Sequence, residues 1–593
     1  MTALLDKVEY LQLGENGNEE YSWSSEIEDM LTQFHFQLTR GASRLLEEKY
    51  QELLAKIFTN ETVTNKNQNQ KYAIILYKLI GYTRDIINGK GEAQLTYMQI
   101  SGLHKFSQSP LCNPDDKYRL IAMATNALES LVRLPNNAHP YGSWKDLKYF
   151  CDYHITKDKR SQLLEKKDPL FTAVINMICG QLQCDEHAPV KSLVAKWIPR
   201  EKSAKFGWLT EHIATQYYSK WITPALSPEQ YKVAKRKCLT HFRQLVSKIN
   251  KTINTPQIAQ CNGTWSSINF DKDVTSITLR KQGKAFQGID NQSFSRTIML
   301  DSADRRQCSE NYKAYVQQCK VGQRIAKGNR VSITDFVKDA INATDPVQQD
   351  CINAQWNNNT NQNSTLKNCI AMIDTSQQYT NTNINLDPLY SAIGLGIRIA
   401  EKSKLGKRIL TFDTTPSWIT LNDCPDFVST VKKIYSASWG PTANFAAALD
   451  MILTTAIENQ VSPEEMKDMT LVILSDMQIE QEIKQEIKQE NKRNIMFNMM
   501  KTKYAEAGLK SVYMEPYTLP YIVFWNLRPT SGFPSLAKTE NTSMMSGNNP
   551  ALLNAFCSKG LSVLHDLTPW KFLVRELANP RYNPLENIIQ LLL

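Results

Sequence analysis

Near residue 368 the rhythm of apolar residues changes, and no other feature limits the possible folds as much. Upstream, apolar residues recur three and four apart in EIEDMLTQFHFQL, SRLLEEKYQELLAKIF, KYAIILYKLIGYTRDII, DKYRLIAMATNALESLVRL, LFTAVINMICGQL, VKSLVAKWI and SPEQYKVAKRKCLTHFRQLVSKINKTI. This spacing predicts successive amphipathic helices with polar or Pro/Gly connectors, stacked as an irregular HEAT-like solenoid without a fixed period. Downstream, short apolar runs alternate with helical patterns. CIAMIDTS, KRILTFD, SWITL, TLVILSD and LPYIVFWNL read as strands, separated by DPLYSAIGLGIRIAEKS, CPDFVSTVKKIYSAS, TANFAAALDMILTTAIEN and NIMFNMMKTKYAEAG as helices. NPALLNAFCSKG and LTPWKFLVRELANP read as closing helices. That alternation predicts an α/β, Rossmann-type doubly wound sheet, whose ligands bind beyond the carboxyl ends of its strands.

The expected organisation is a flexible polar N-terminus over 1–25, a basic all-α domain over 26–345, an Asn/Gln-rich linker over 346–367 and an α/β domain over 368–593. The repetitive run QEIKQEIKQENK at 481–492 reads as a solvated charged surface. No run of about 18 uncharged apolar residues occurs and the first residues lack an apolar core, so neither a membrane span nor a secretory signal is expected. The 12 cysteines form no CxxC pair and read as reduced thiols, most of them buried. An intracellular, cytoplasmic setting follows as the expectation.

Charge divides unevenly. Residues 1–350 hold 47 Lys and Arg against 37 Asp and Glu, whereas residues 351–593 hold 22 of each. The excess is densest in 201–300, with 15 basic and 6 acidic residues. Lys232, Lys235, Arg236, Arg243 and Lys248 lie on one predicted helix, 228–254, and Arg280, Lys281 and Lys284 form a second cluster. Phosphate contacts from such residues give salt-dependent affinity with little sequence selection, and Trp197, Trp208 or Trp265 are available to stack on bases. The plainer reading is a solvated basic surface above core tryptophans.

Three polar signals fall at strand ends or in loops beside them: Asp374-Thr375-Ser376 after CIAMI, Thr442 in SWGPTANFAAALD, and Asp476 after LVILS. Mg2+ takes oxygen ligands in near-octahedral geometry, and carboxylates with hydroxyls converging on one rim supply them. Taken singly, each is an ordinary helix cap or turn former, and Thr442 can cap the helix after it. Taken in this order, they resemble the metal-ion-dependent adhesion site of von Willebrand factor A-type (vWA) domains. By that resemblance Asp374, Ser376, Thr442 and Asp476 fill four of five positions, and Gln378 stands where the family has Ser. A Gln carbonyl can ligate Mg2+ or another divalent cation, but the longer side chain displaces the loop.

Longer segments resemble a vWA-containing family known as domain of unknown function 2828, related to TROVE proteins such as the Ro autoantigen. They are RDIINGKGEAQ, YGSWKDL, VKSLVAKWIPREKSA, PYIVFWNLR with SGFPSLAKTENTSMMSG, and TPWKFLVRELANPRYNPLE. The resemblance runs from about residue 75 onward. It implies a ring of helical repeats closed by a vWA domain, with structured RNA on a basic outer surface and single-stranded ends in the channel. Members of the family occur in plants, fungi and giant viruses.

Two function classes stand out. One is a Ro-like RNA- or ribonucleoprotein-binding protein whose vWA rim meets a protein partner. The other is an interaction scaffold or virion component without a nucleic-acid role. An enzyme is not expected: Gly89-Lys90-Gly91-Glu92 lacks the spacing and following Ser/Thr of a phosphate loop and reads as a turn. His104, His139 and His154 are scattered, with no neighbouring cysteine or carboxylate pattern for a triad or a metal.

Overall fold

The computed structural model describes all residues except 1–10, 15–18, 60–65, 156–167, 224–225, 254, 290–301, 367, 376–384, 413–414, 438–443, 476, 478–491 and 557–566. The first half is helical, as the apolar spacing requires. Helices Ile27–Gln37, Arg44–Thr59, Lys66–Arg84, Ala93–Ser107, Pro114–Ser130, Trp144–His154, Pro169–His187, Gly207–Tyr217 and Pro228–Ile253 each pack on near neighbours in the chain. Their starts carry the chemistry of helix entry: Asn113 and Asp168 accept from first-turn amides, each followed by Pro.

The second half is built on a six-stranded mixed sheet. Its strands are β3 (Cys369–Asp374), β4 (Arg408–Phe412), β5 (Ser417–Thr420), β6 (Thr470–Ser475), β7 (Tyr521–Asn526) and β8 (Thr542–Ser546), in the spatial order β5-β4-β3-β6-β7-β8. All neighbours run parallel except β4 and β5. Counted from β3, this is the 3-2-1-4-5-6 order of doubly wound sheets, with the topological switch between β3 and β6. Side-chain alternation splits the strands between two cores. Ala371, Ile373, Val472, Leu474, Val523 and Trp525 join a core that continues through the helical half. Met372, Leu410, Leu471, Ile473, Ile522 and Phe524 face the Phe445–Glu458 helix. A satellite core lies around Phe270, Phe286, Tyr312 and Tyr315.

One expectation about the connecting segments is narrowed and another fails. The N-terminal stretch is not loose where it is described: β1 (Leu11–Leu13) and β2 (Glu19–Tyr21) pair antiparallel. Tyr21 exchanges backbone hydrogen bonds with Phe533 at 3.1 and 2.9 Å, and the Trp23 ring packs edge-on against Phe533. The Asn/Gln-rich stretch is likewise no linker, because Pro346–Thr360 is a helix capped by Asp345. Its amides are joinery rather than solvated loop. Gln355 donates to the Lys327 and Ser276 carbonyls, Asn359 donates to the Gly328 carbonyl, and Trp356 is buried.

Early helices meet the segment near residue 580. Arg581 forms a two-pronged pair with fully buried Asp85 at 2.6 and 2.7 Å, Lys78 pairs with Glu586 at 2.5 Å, and Tyr72 packs against Trp570. Lys90, in the expected turn between helices, is buried. Its ammonium donates to the carbonyls of His35 and Leu38 and to the Ser546 hydroxyl at the end of β8.

Half-buried Glu576 sits on the same joint. Burial pushes its carboxyl up to about 7, against the pull of Arg575. The folded chain therefore holds a proton there that the unfolded chain releases near 4.5, so this group's contribution to stability is full below pH 4.5 and is lost as pH rises through about 7. Glu576→Gln should flatten this limb of a melting-temperature profile, by an amount on the order of 1 kcal/mol once partial exposure is discounted. A profile identical to the native one would exclude the assignment.

Candidate nucleic-acid interface and the strand-end rim

Four lysines converge on three aromatic rings where helix Trp144–His154 meets the 194–206 segment. Lys145 lies 5.0 Å from the Tyr149 ring centre and 5.6 Å from that of Trp197. Lys148 reaches Tyr149 (5.1 Å), Trp197 (5.3 Å) and Phe206 (4.9 Å). Lys196 lies 6.0 Å from Trp197, and Lys205 lies 5.2 Å from Phe206. Cation–π attraction holds ammonium groups on ring faces but leaves their charge uncompensated. Lys205 has a carboxylate partner, Asp152 at 2.9 Å. Lys145, Lys148 and Lys196 form no ion pair among the described residues. Burial lowers the pKa of Lys148, helped by Lys145, and burial lowers that of Lys196. Such like-charge crowding concentrates positive potential on this surface.

Local structure fixes these groups. Ser143 and Asp146 form a capping box that starts helix Trp144–His154. Buried Asp146 is clamped by Arg84 at 2.7 and 2.9 Å and by the Tyr97 hydroxyl at 2.6 Å. Burial raises the Asp146 pKa, but the Arg84 charge and these hydrogen bonds outweigh it and hold the carboxyl below its ordinary value. The short helix Val194–Trp197 is set by Ser192, which donates to Asp185 at 2.6 Å. Asn250, on the Pro228–Ile253 helix, donates to the Ala195 carbonyl at 3.1 Å.

The basic residues expected to bind nucleic acid divide. Lys232, Arg236, Arg243 and Lys248 are exposed on the Pro228–Ile253 helix, whose buried stripe is Cys238, Phe242, Leu245 and Ile249. At 100° per residue Lys232, Arg236 and Arg243 share a flank, and Lys248 lies on another. Arg243 approaches Glu201 at 3.6 Å, which brings that flank to the segment carrying Lys205. Lys235 is neutralised by Glu211. Arg280 is also a correction: it is a structural tie, held by Asp335 at 3.0 Å and by Asp339 at 2.5 and 3.0 Å. Lys281 and Lys284 are exposed on helix Ser276–Phe286, which belongs to the satellite core.

Sequence reading missed Lys145, Lys148, Lys196 and Lys205 and set Trp197 down as core. The Trp197 ring is only half-buried, under lysines. The available signal was two lysines three apart beside Tyr149, off the apolar stripe of their helix.

At the strand-end rim, Asp374 ends β3 beside the switch point and is buried. Its Oδ2 accepts from the Ser475 hydroxyl of β6 at 2.6 Å, and Ser475 Oγ in turn accepts from the Met477 amide at 2.9 Å. The Thr375 hydroxyl next to it is buried, with no hydrogen-bond partner among the described residues. Ser376, Gln378, Thr442 and Asp476 lie outside the described residues. In sequence, Asp476 directly follows Ser475.

A family profile described as a domain of unknown function, DUF7788, matches residues 368–568, the portion carrying the sheet. Along nearly its whole length the chain is similar to an uncharacterised protein, L728, of Acanthamoeba polyphaga mimivirus. The two are 24% identical over 591 residues, covering 97% of this chain and 88% of the relative. No helix among the described residues is long and apolar enough to cross a membrane.

Proposed function

We propose that this chain is a non-catalytic RNA-binding protein with a Ro-like plan, a HEAT-like helical array closed by a vWA-type sheet. The sheet order with one antiparallel edge strand, and the junction of first and last helices, support that plan. One observation carries the binding reading: Lys145, Lys148 and Lys196 crowd around Trp197 and Tyr149 without carboxylate partners among the described residues. Phosphates neutralise the ammonium groups that crowd the half-exposed indole. The Lys232 and Arg236 flank extends the track, with Arg243 paired to Glu201 beside it. Asp374, at the switch point, supports a rim for a protein partner, with a divalent cation if Gln378 serves as a ligand.

Fluorescence anisotropy with single-stranded and structured RNA over a salt series tests this. Each phosphate contact to a single strand adds about −0.7 to the slope of log affinity against log salt. Lys145→Ala/Lys148→Ala/Lys196→Ala should flatten the slope by about 2 and weaken binding at low salt. Lys281→Ala/Lys284→Ala should change it far less. Absent or salt-insensitive binding, or a triple variant indistinguishable from the native chain, would remove the proposal.

A further inference from the structure

Two of the three histidines that look scattered in sequence, His104 and His154, come together in space. His104 lies in the last turn of helix Ala93–Ser107, His154 ends helix Trp144–His154, and Asp168 caps helix Pro169–His187. Three helices thus deliver two imidazoles and a carboxylate to one point. His154 Nε2 is 3.1 Å from Asp168 Oδ2, and His104 Nδ1 is 3.8 Å from the same oxygen. One ligating atom from each residue lies within 4.8 Å of the other two.

We propose that His104, His154 and Asp168 form a binding site for a borderline divalent cation, Zn2+ first. Two nitrogens and one oxygen exclude Mg2+ and Ca2+, which require all-oxygen shells, and suit Zn2+. Bonds of about 2.0–2.1 Å in a tetrahedral shell place ligand atoms roughly 3.4 Å apart. The 3.1 and 3.8 Å separations bracket that value.

The surroundings aim these atoms as a metal site requires. Ser101 Oγ lies 2.8 Å from His154 Nδ1. The Ser101 hydroxyl can accept from Nδ1, and in that tautomer Nε2 keeps the lone pair that a ligating histidine uses. Phe150 stacks on the His154 ring at 5.2 Å. Asp168 Oδ1 is taken by the Phe171 amide at 2.8 Å, which leaves Oδ2 for the imidazoles. Ser101 and His154 also line a cavity of about 640 Å³ with Glu47, Lys105 and Tyr153, so the cluster borders a space a small molecule can enter.

The test uses the full chain, stripped with a chelator and kept in excess Mg2+ so that all-oxygen sites are filled. Titration with Co2+ should give visible absorption of a nitrogen–oxygen shell, saturating at one equivalent and displaced by Zn2+. Zinc X-ray absorption of the native protein should show two imidazoles. Ser101→Ala, a small change that leaves the ligands intact, should weaken binding by about 10–100-fold. His104→Ala should abolish the signal with the far-ultraviolet spectrum unchanged. A native chain that takes up no Co2+ at large excess, a shell of thiolates, or full-strength binding by both variants each overturns the site and leaves a hydrogen-bonded helix cap.

Discussion

Asp85→Ala is expected to destabilise the protein by about 3–5 kcal/mol, since removing one partner of a buried ion pair strands the other. Asp85 is fully buried, and both of its oxygens are engaged by Arg581. It also accepts from the Tyr582 hydroxyl at 3.2 Å and from the amides of Ile87 and Asn88 at 3.1 and 3.2 Å. The substitution leaves the Arg581 guanidinium half-desolvated and frees the turn that presents Lys90. Chemical denaturation read by circular dichroism measures the loss. Asp85→Ala/Arg581→Met should recover part of it, because no lone charge then remains. A single-variant loss below about 1 kcal/mol would show that the pair does not join the early helices to the segment near residue 580.

Arg398→Ala should cost a similar amount, again about 3–5 kcal/mol, through stranded acceptors and a cavity. The side chain is fully buried on helix Asp387–Lys402, and its guanidinium lies 4.2 Å from the Trp356 ring centre. It donates to Asn363 Oδ1 at 2.8 Å and to Asn359 Oδ1 at 3.0 Å, with Glu401 at 3.8 Å. Burial pushes its pKa down to about 10, opposed by Glu401. Arg398→Lys should be no rescue, since a point charge cannot stack on the indole and serve both amides. Hydrogen exchange should localise the damage to Pro346–Thr360. Native-like protection there in Arg398→Ala would mean that the helix stands without its arginine.

These two residues also mark where sequence reasoning runs out. β3, β4, β6 and β7 were legible because strands buried on both faces are continuous apolar runs bounded by polar residues. The long helices were legible from their period. β8, TSMMS, is too short and too polar to stand out on its own, and only its resemblance to closing strands marked it. Pro346–Thr360 was missed because its amides look like solvated loop until Gly328, Ser276 and Arg398 supply partners distant in sequence. The lysine cluster and the His104–His154–Asp168 group share that cause. Each unites residues whose spacing follows no local period, so only the packing of helices brings them together. The place of Asp374 at a strand end beside the switch point was legible because it directly follows a continuous apolar run.

The meeting of early helices with late segments has a consequence for biosynthesis. The carbonyl of His35 finds the Ser546 hydroxyl 511 positions later, and Asp85 finds Arg581 after 496. A ribosome adding 5–20 residues per second takes roughly 25–100 s over that distance. Throughout that interval the first helices have emerged while the late segments that complete their packing are still untranslated. The nascent chain therefore carries an unsealed apolar seam until those later helices appear, and deleting them is expected to destabilise the first helices as well.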